Sequence, residues 1–163
     1  MSMLQHYKQV TQEKILEIDK DTTVLPRILL EEKNDVQLDI DKSWDGIHFL
    51  LTGEIIGEKV DQSDPRTWII FGWGEWGPEV GYGPSRVVPP KEVAQLAKFL
   101  STLNDEDLRK RFDPVKMNKL GLYPGGIWDE ESVLDWLMDH YHKVKDFYID
   151  AAKKGNGVLI WTT

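Results

Sequence analysis

Apolar residues recur along this chain with two periods, and each change of period marks an element. Val36, Leu38 and Ile40 alternate with Gln37 and Asp39, the pattern of a half-buried strand. From Trp44 the spacing widens to three and four. Trp44, Ile47, Leu50 and Leu51 predict a helix over 41–53, with Asp41 and Ser43 to accept bonds from its first amides and Gly53 to end it. After Pro90 a second stripe runs through Val93, Leu96, Ala97, Leu100 and Leu103. Asn104 caps a continuation to Phe112, and Asp113-Pro114 restarts a helix that Gly121 stops. The longest stripe is Leu134, Leu137, Tyr141, Val144, Tyr148 and Ala151. It predicts a helix from an Asp129 cap to about residue 154, closed by Gly155. Shorter patterns predict a helix after Thr11, with Ile15, Leu16 and Ile18, and another over Leu25–Glu31. Strands are expected at Met3–Lys8, Thr67–Phe71 and Val158–Trp161, with a broken one over Glu79–Val88.

Strands and helices in this order do not alternate, so a doubly wound parallel sheet is not expected. The pattern predicts an α+β fold: a small mixed sheet, helices packed mainly on one face, and the terminal strands side by side. A chain of 163 residues suits one domain over 1–163, which buries roughly 70% of its unfolded surface.

Composition narrows the function. The chain has 20 basic and 28 acidic residues, a formal charge of −8. Glu31 to Asp64 holds 10 acidic and 3 basic residues. Such a field repels phosphate backbones, so no nucleic-acid partner is expected. Cysteine is absent, which removes disulfides and thiolate chemistry. No apolar run approaches the ~18–20 residues of a membrane span. Met1 to Val10 lacks the apolar core of a signal peptide. A cytoplasmic protein with no membrane partner is expected.

Few residues offer chemistry. Gly72-Trp73-Gly74-Glu75-Trp76-Gly77 fits the dinucleotide fingerprint GxGxxG after a strand, but Pro78 and the strand-like residues beyond it deny the helix whose N-terminus would hold a pyrophosphate. No cofactor is expected. Asp45 and His48 are three apart, so a helix places them on one side, where a carboxylate can orient an imidazole as general base. With Asp41 they would also suit a divalent ion. The bland reading, capping aspartates and a histidine on the core rim beside Trp44, outweighs both, and no metal is expected. Gly81 to Arg86 is a permissive loop whose arginine can fork a carboxylate or phosphate, or pair with Asp41 or Asp45 as a strut. Tyr123 to Trp128 is a second aromatic turn. His140 and His142, two apart on a helix, point apart. The long helix is apolar over a wide arc, which fits deep burial or a second copy of the chain, making a homodimer one candidate assembly.

Several segments together resemble one family. Leu38-Asp39-Ile40-Asp41-Lys42-Ser43-Trp44-Asp45-Gly46-Ile47-His48-Phe49-Leu50-Leu51-Thr52-Gly53 is similar to the signature of the YfbM-like family of bacterial domains of unknown function. The element from Gly81 to Arg86, the helix start at Pro90, Glu92 and Val93, the turn from Tyr123 to Trp128, and the ending Phe147, Tyr148, Ala151, Ala152 and Gly155 follow in the same order. The resemblance implies a compact α+β cytoplasmic bacterial protein and brings no reaction or cofactor.

The reading that emerges is a binding or interaction module with a protein or small-molecule partner. Its candidate site is Asp41, Trp44, Asp45, His48, Tyr82, Arg86, Tyr123 and Trp128, loops expected to meet on one surface. Its rivals are an enzyme using Asp45 and His48 with Arg86 as anion clamp, and an acidic, immunity-like inhibitor of a basic partner.

Overall fold

In the computed structural model, which describes residues 2–32, 36–53 and 61–163, the two ends of the chain form the middle of one sheet. β1 (Gln5–Val10) runs antiparallel to β5 (Gly157–Thr162), from Gln5 opposite Thr162 to Val10 opposite Gly157. β2 (Gln37–Asp39) flanks β1. On the other side β4 (Pro84–Val88) pairs with β5, and β3 (Gly74–Glu79) lies beyond it, giving the order β2-β1-β5-β4-β3. The ladders are antiparallel, and an isolated parallel bridge joins Gly81 to Thr162.

Alternation along these strands sorts their side chains to two faces. Tyr7, Val88, Val158 and Ile160 pack under the larger helical layer. That layer contains α3 (Trp44–Thr52), α4 (Pro65–Phe71), α5 (Pro90–Thr102) and α8 (Val133–Lys154). Val10, Leu159 and Trp161 face the other way, onto α1 (Gln12–Lys20) and α2 (Leu25–Leu30). Two short helices, α6 (Asp105–Lys110) and α7 (Pro114–Lys119), lead into α8. The fold is α+β with most helices on one face, as the pattern predicts.

Many caps are the predicted ones. Thr11, Asn104 and Asp113 accept from the amides of Lys14, Glu106 and Lys116. Gly53 and Gly155 take the left-handed conformation that ends α3 and α8. Other expectations need correction. Asp41 does not cap α3: its φ is 52°, and its amide donates to Asp39 Oδ1 at 2.7 Å. Ser43 turns its hydroxyl back to the carbonyl of Ile40. Asp129 accepts from Asn118 Nδ2, and α8 starts later, at Val133. The broken strand over Glu79–Val88 is two strands, separated by a turn through Gly81 and Gly83.

The largest correction is Thr67–Phe71, which is helix α4, not a strand. Asp64 Oδ1 caps the Arg66 amide at 2.9 Å and Pro65 occupies the first turn. The far end would leave carbonyls without partners. Here Tyr7 and Tyr148 hydroxyls donate to Ile69 O at 3.1 and 3.0 Å, and Gln5 Nε2 donates to Ile70 O. The glycine-rich run after it therefore follows a helix and enters β3.

Gly46 lies where α3 crosses Trp128. A Cβ there would stand 2.7 Å from Trp128 Cη2 and 2.8 Å from Leu137 Cδ1, on two wholly buried side chains. Gly46→Ala should lower the unfolding free energy by roughly 1–3 kcal/mol, against the ~1 kcal/mol that alanine favours a helix. Urea unfolding decides: unchanged or increased stability would mean the indole yields freely.

Candidate functional site

The start of α3 carries Trp44, which touches three other segments. Its Nε1–H donates to Met3 O at 3.1 Å, and its ring stacks on Tyr123, centroids 5.1 Å apart. Phe71, at the end of α4, meets it edge-on. Tyr123 OH accepts from the Met3 amide at 2.7 Å, so the two aromatics hold both sides of one backbone unit.

Beside them opens a cleft of about 190 Å³, lined by Met3, Gln5, Trp44, Phe71, Tyr82, Arg86 and Thr162. Three lining groups are aromatic. Gln5 and Thr162 are mutually satisfied, Thr162 Oγ1 donating to Gln5 Oε1 at 3.0 Å. Arg86 supplies the cation. Its Nη2 lies 3.6 Å from Oε1 of Glu75, the residue opposite it on β3, whose side chain is 67% exposed. That is a loose contact, worth little in water. Tyr82 is 44% exposed at the mouth. Its amide donates to Thr162 O, and Gly81, at φ 71°, approaches the same carbonyl so closely that a Cβ would clash with it. Glycine therefore lets this loop close over the end of β5.

The structure thus brings Trp44, Tyr82 and Arg86 around one cleft, with Tyr123 stacked behind. It does not bring the other candidates there. Trp128 is fully buried, its Nε1–H donating to Leu122 O. Asp45 is buried in the first turn of α3, and its Oδ2 accepts from the Tyr123 amide at 2.8 Å. Its Oδ1 is without a partner among the described residues, and burial raises the carboxyl above its ordinary pKa. His48 is 3% exposed, edge-on to Phe71, with Nε2 3.4 Å from Thr52 Oγ1 and Nδ1 without a partner among the described residues. Asp41 is shaped by its turn, and Arg86 pairs with Glu75 instead of Asp41 or Asp45. The acidic stretch Glu31–Asp64 lies partly outside the described residues.

Sequence reasoning missed Met3, Gln5, Phe71 and Thr162. Phe71 was hidden by the strand reading of its segment, and the others carry no local signal. A larger cleft of about 330 Å³ runs past Gln9, Thr11, Lys14 and Asn156. Much of its polar lining is already engaged: Gln9 bonds to Asp150 and Asn156, and Thr11 caps α1. Among the described residues, no three His, Asp or Glu side chains are grouped to hold a metal, and no helix is long and apolar enough to cross a membrane.

Comparison with known proteins fits this architecture. The model of a domain of unknown function (DUF1877) matches residues 1–161. Protein YfbM of Escherichia coli (strain K12) is 28% identical over 168 residues, spanning 98% of this chain and 97% of its own. The crystal structure of YfbM from Escherichia coli, a protein of unknown function, aligns with a TM-score of 0.79 at 24% identity, over 98% of this chain and 99% of its own.

Burial lowers the His48 pKa from 6.5 to about 4, chiefly by desolvating the imidazolium. Between those values the unfolded chain binds a proton that the folded one refuses, so stability falls as pH drops through this window. His6 and His140 are also lowered by burial and share the slope. From pH 7 to 4.5 the His48 part amounts to about 2–3 kcal/mol. His48→Gln should remove that part of the acid destabilisation in urea titrations at the two pH values. An unchanged difference would show that His48 is protonated without cost.

Proposed function

The chain belongs to the DUF1877 family, and we propose that it acts as a non-enzymatic binding module taking a small molecule in the Trp44–Tyr82–Arg86 cleft. The observation that carries this reading is the convergence itself. Residues from the helix signature, the Gly81–Arg86 loop and the chain's first residues line one recess. A rigid α3 and a paired sheet end hold the walls, and loops at the mouth supply the exposed groups.

The enzyme reading has less support. A carboxylate–imidazole pair needs the two groups in contact with each other and with the substrate. Asp45 faces the Tyr123 amide, His48 faces Phe71 and Thr52, and neither lines the cleft that Arg86 serves. A cytoplasmic setting accords with the chain's charge and composition.

The test is an NMR screen with single-ring fragments (phenol, benzoate, benzamide and aniline). The largest shift changes should fall on the Trp44 indole N–H and on the backbone of Tyr82 and Arg86. Tyr82→Ser, at an exposed position, should weaken binding severalfold with the fold intact. Changes centred instead on Gln9, Thr11 and Asn156, or none at either place, would overturn the assignment.

A further inference from the structure

We infer that the cleft's ligand is a small aromatic carboxylate, its ring against Trp44, Phe71 and Tyr82 and its carboxylate on Arg86. This rests on the reading of the cleft as a binding site and names the chemical class that fits it.

Size comes first. Drug-sized ligands fill pockets of roughly 300–1,000 Å³. At about 190 Å³ this recess holds one ring system with a short arm. The walls come second. Three aromatic side chains, from α3, α4 and the β3–β4 turn, line the recess, and an aromatic lining matches a ring better than a sugar or a peptide backbone. Polarity comes third. Gln5 Nε2 is committed to Ile70 O, and Thr162 Oγ1 donates to Gln5 Oε1. Both are neutral groups already held within the fold, so Arg86 alone among the lining side chains brings ionic recognition.

The guanidinium sets the sign and the count of the ligand's charge. Its planar fork suits a carboxylate or phosphate. Yet Glu75 already lies 3.6 Å away, and the chain carries a formal charge of −8. A dianion meets more repulsion here than a monoanion. The carboxylate is therefore favoured over the phosphate monoester. A cationic ligand, which three aromatic rings would otherwise attract, meets the like charge of Arg86. Glu75 also becomes a competitor. Exposed and loosely held on the edge strand β3, it occupies Arg86 until a ligand carboxylate displaces it.

Calorimetric and NMR titrations with indole-3-acetate, indole, tryptamine and phenyl phosphate test the class. Indole-3-acetate should bind at least tenfold more tightly than indole, and tryptamine and phenyl phosphate more weakly than indole-3-acetate. Arg86→Gln should bring indole-3-acetate down to the level that indole shows on the same variant. Glu75→Gln, at an exposed position, should raise indole-3-acetate affinity severalfold and weaken the salt dependence little. If indole and indole-3-acetate bind equally at Trp44 and Tyr82, the carboxylate class fails and the cleft reading stands. Tighter binding of tryptamine or phenyl phosphate overturns the class in favour of a cation or a phosphate. If no probe moves the Trp44 and Tyr82 resonances, both readings fall.

Discussion

The pairing of Gln5–Val10 with Gly157–Thr162 joins segments separated by almost the whole chain, and every layer is hung on it. Gln5 and Thr162 are 157 residues apart in sequence. Closing so long a loop costs entropy that only later contacts offset. Those contacts lie on both faces. On one, Tyr7 meets Phe147 and Tyr148 of α8. On the other, the wholly buried Lys8 donates from Nζ to the carbonyls of Ile28 and Glu32, satisfying the end of α2. A charged side chain inside a core is tolerated because its donors are used. β2 and β4 flank this central pair, and β3 extends the sheet beyond β4. The cleft inherits this dependence, since Gln5 and Thr162 belong to the same pair of strands.

From that ladder the order passes to α4 through one short run of carbonyls. Tyr7 from β1 and Tyr148 from α8 both donate to Ile69 O, and Gln5 donates to Ile70 O. Burial pushes the Tyr7 and Tyr148 phenols upward in pKa, so they remain donors. A seven-residue helix has little stability of its own. Fixing its C-terminal carbonyls from the sheet below and the long helix beside it sets where Phe71 emerges. Phe71 is at once a cleft wall and the ring against His48.

The parts legible in the sequence are those whose signal is local. The apolar stripes of α5 and α8, the glycine ends of α3 and α8, and the caps Thr11, Asn104 and Asp113 need no knowledge of distant residues. Thr67–Phe71 was not legible, because five residues rich in apolar side chains satisfy a buried strand and a buried helix equally. Asp64 and Pro65 do carry the helix-start signal, but the partners that end the helix come from residues 5, 7 and 148. The cleft is a similar case. Trp44, Tyr82 and Arg86 stand out by type, whereas Gln5 and Thr162 reach it only through strand register. Asp45 and His48 had the right spacing for chemistry, and their side chains were claimed by Tyr123 and Phe71.

Trp44 shows why stability and recognition are hard to separate in this fold. Its indole N–H is spent on Met3, one face stacks on Tyr123, and it is 9% exposed. Such a residue forms a cleft wall because it is held from behind, and a wall held this firmly loses little entropy when a ligand arrives. Arg86 is the opposite case. It sits on a strand between β5 and the edge, its partner Glu75 is exposed, and releasing it costs little. In the binding mode proposed above, preorganised rings beside a lightly tethered cation divide the work: the rings set the shape of the recess, and the cation selects charge by exchanging Glu75 for a ligand carboxylate.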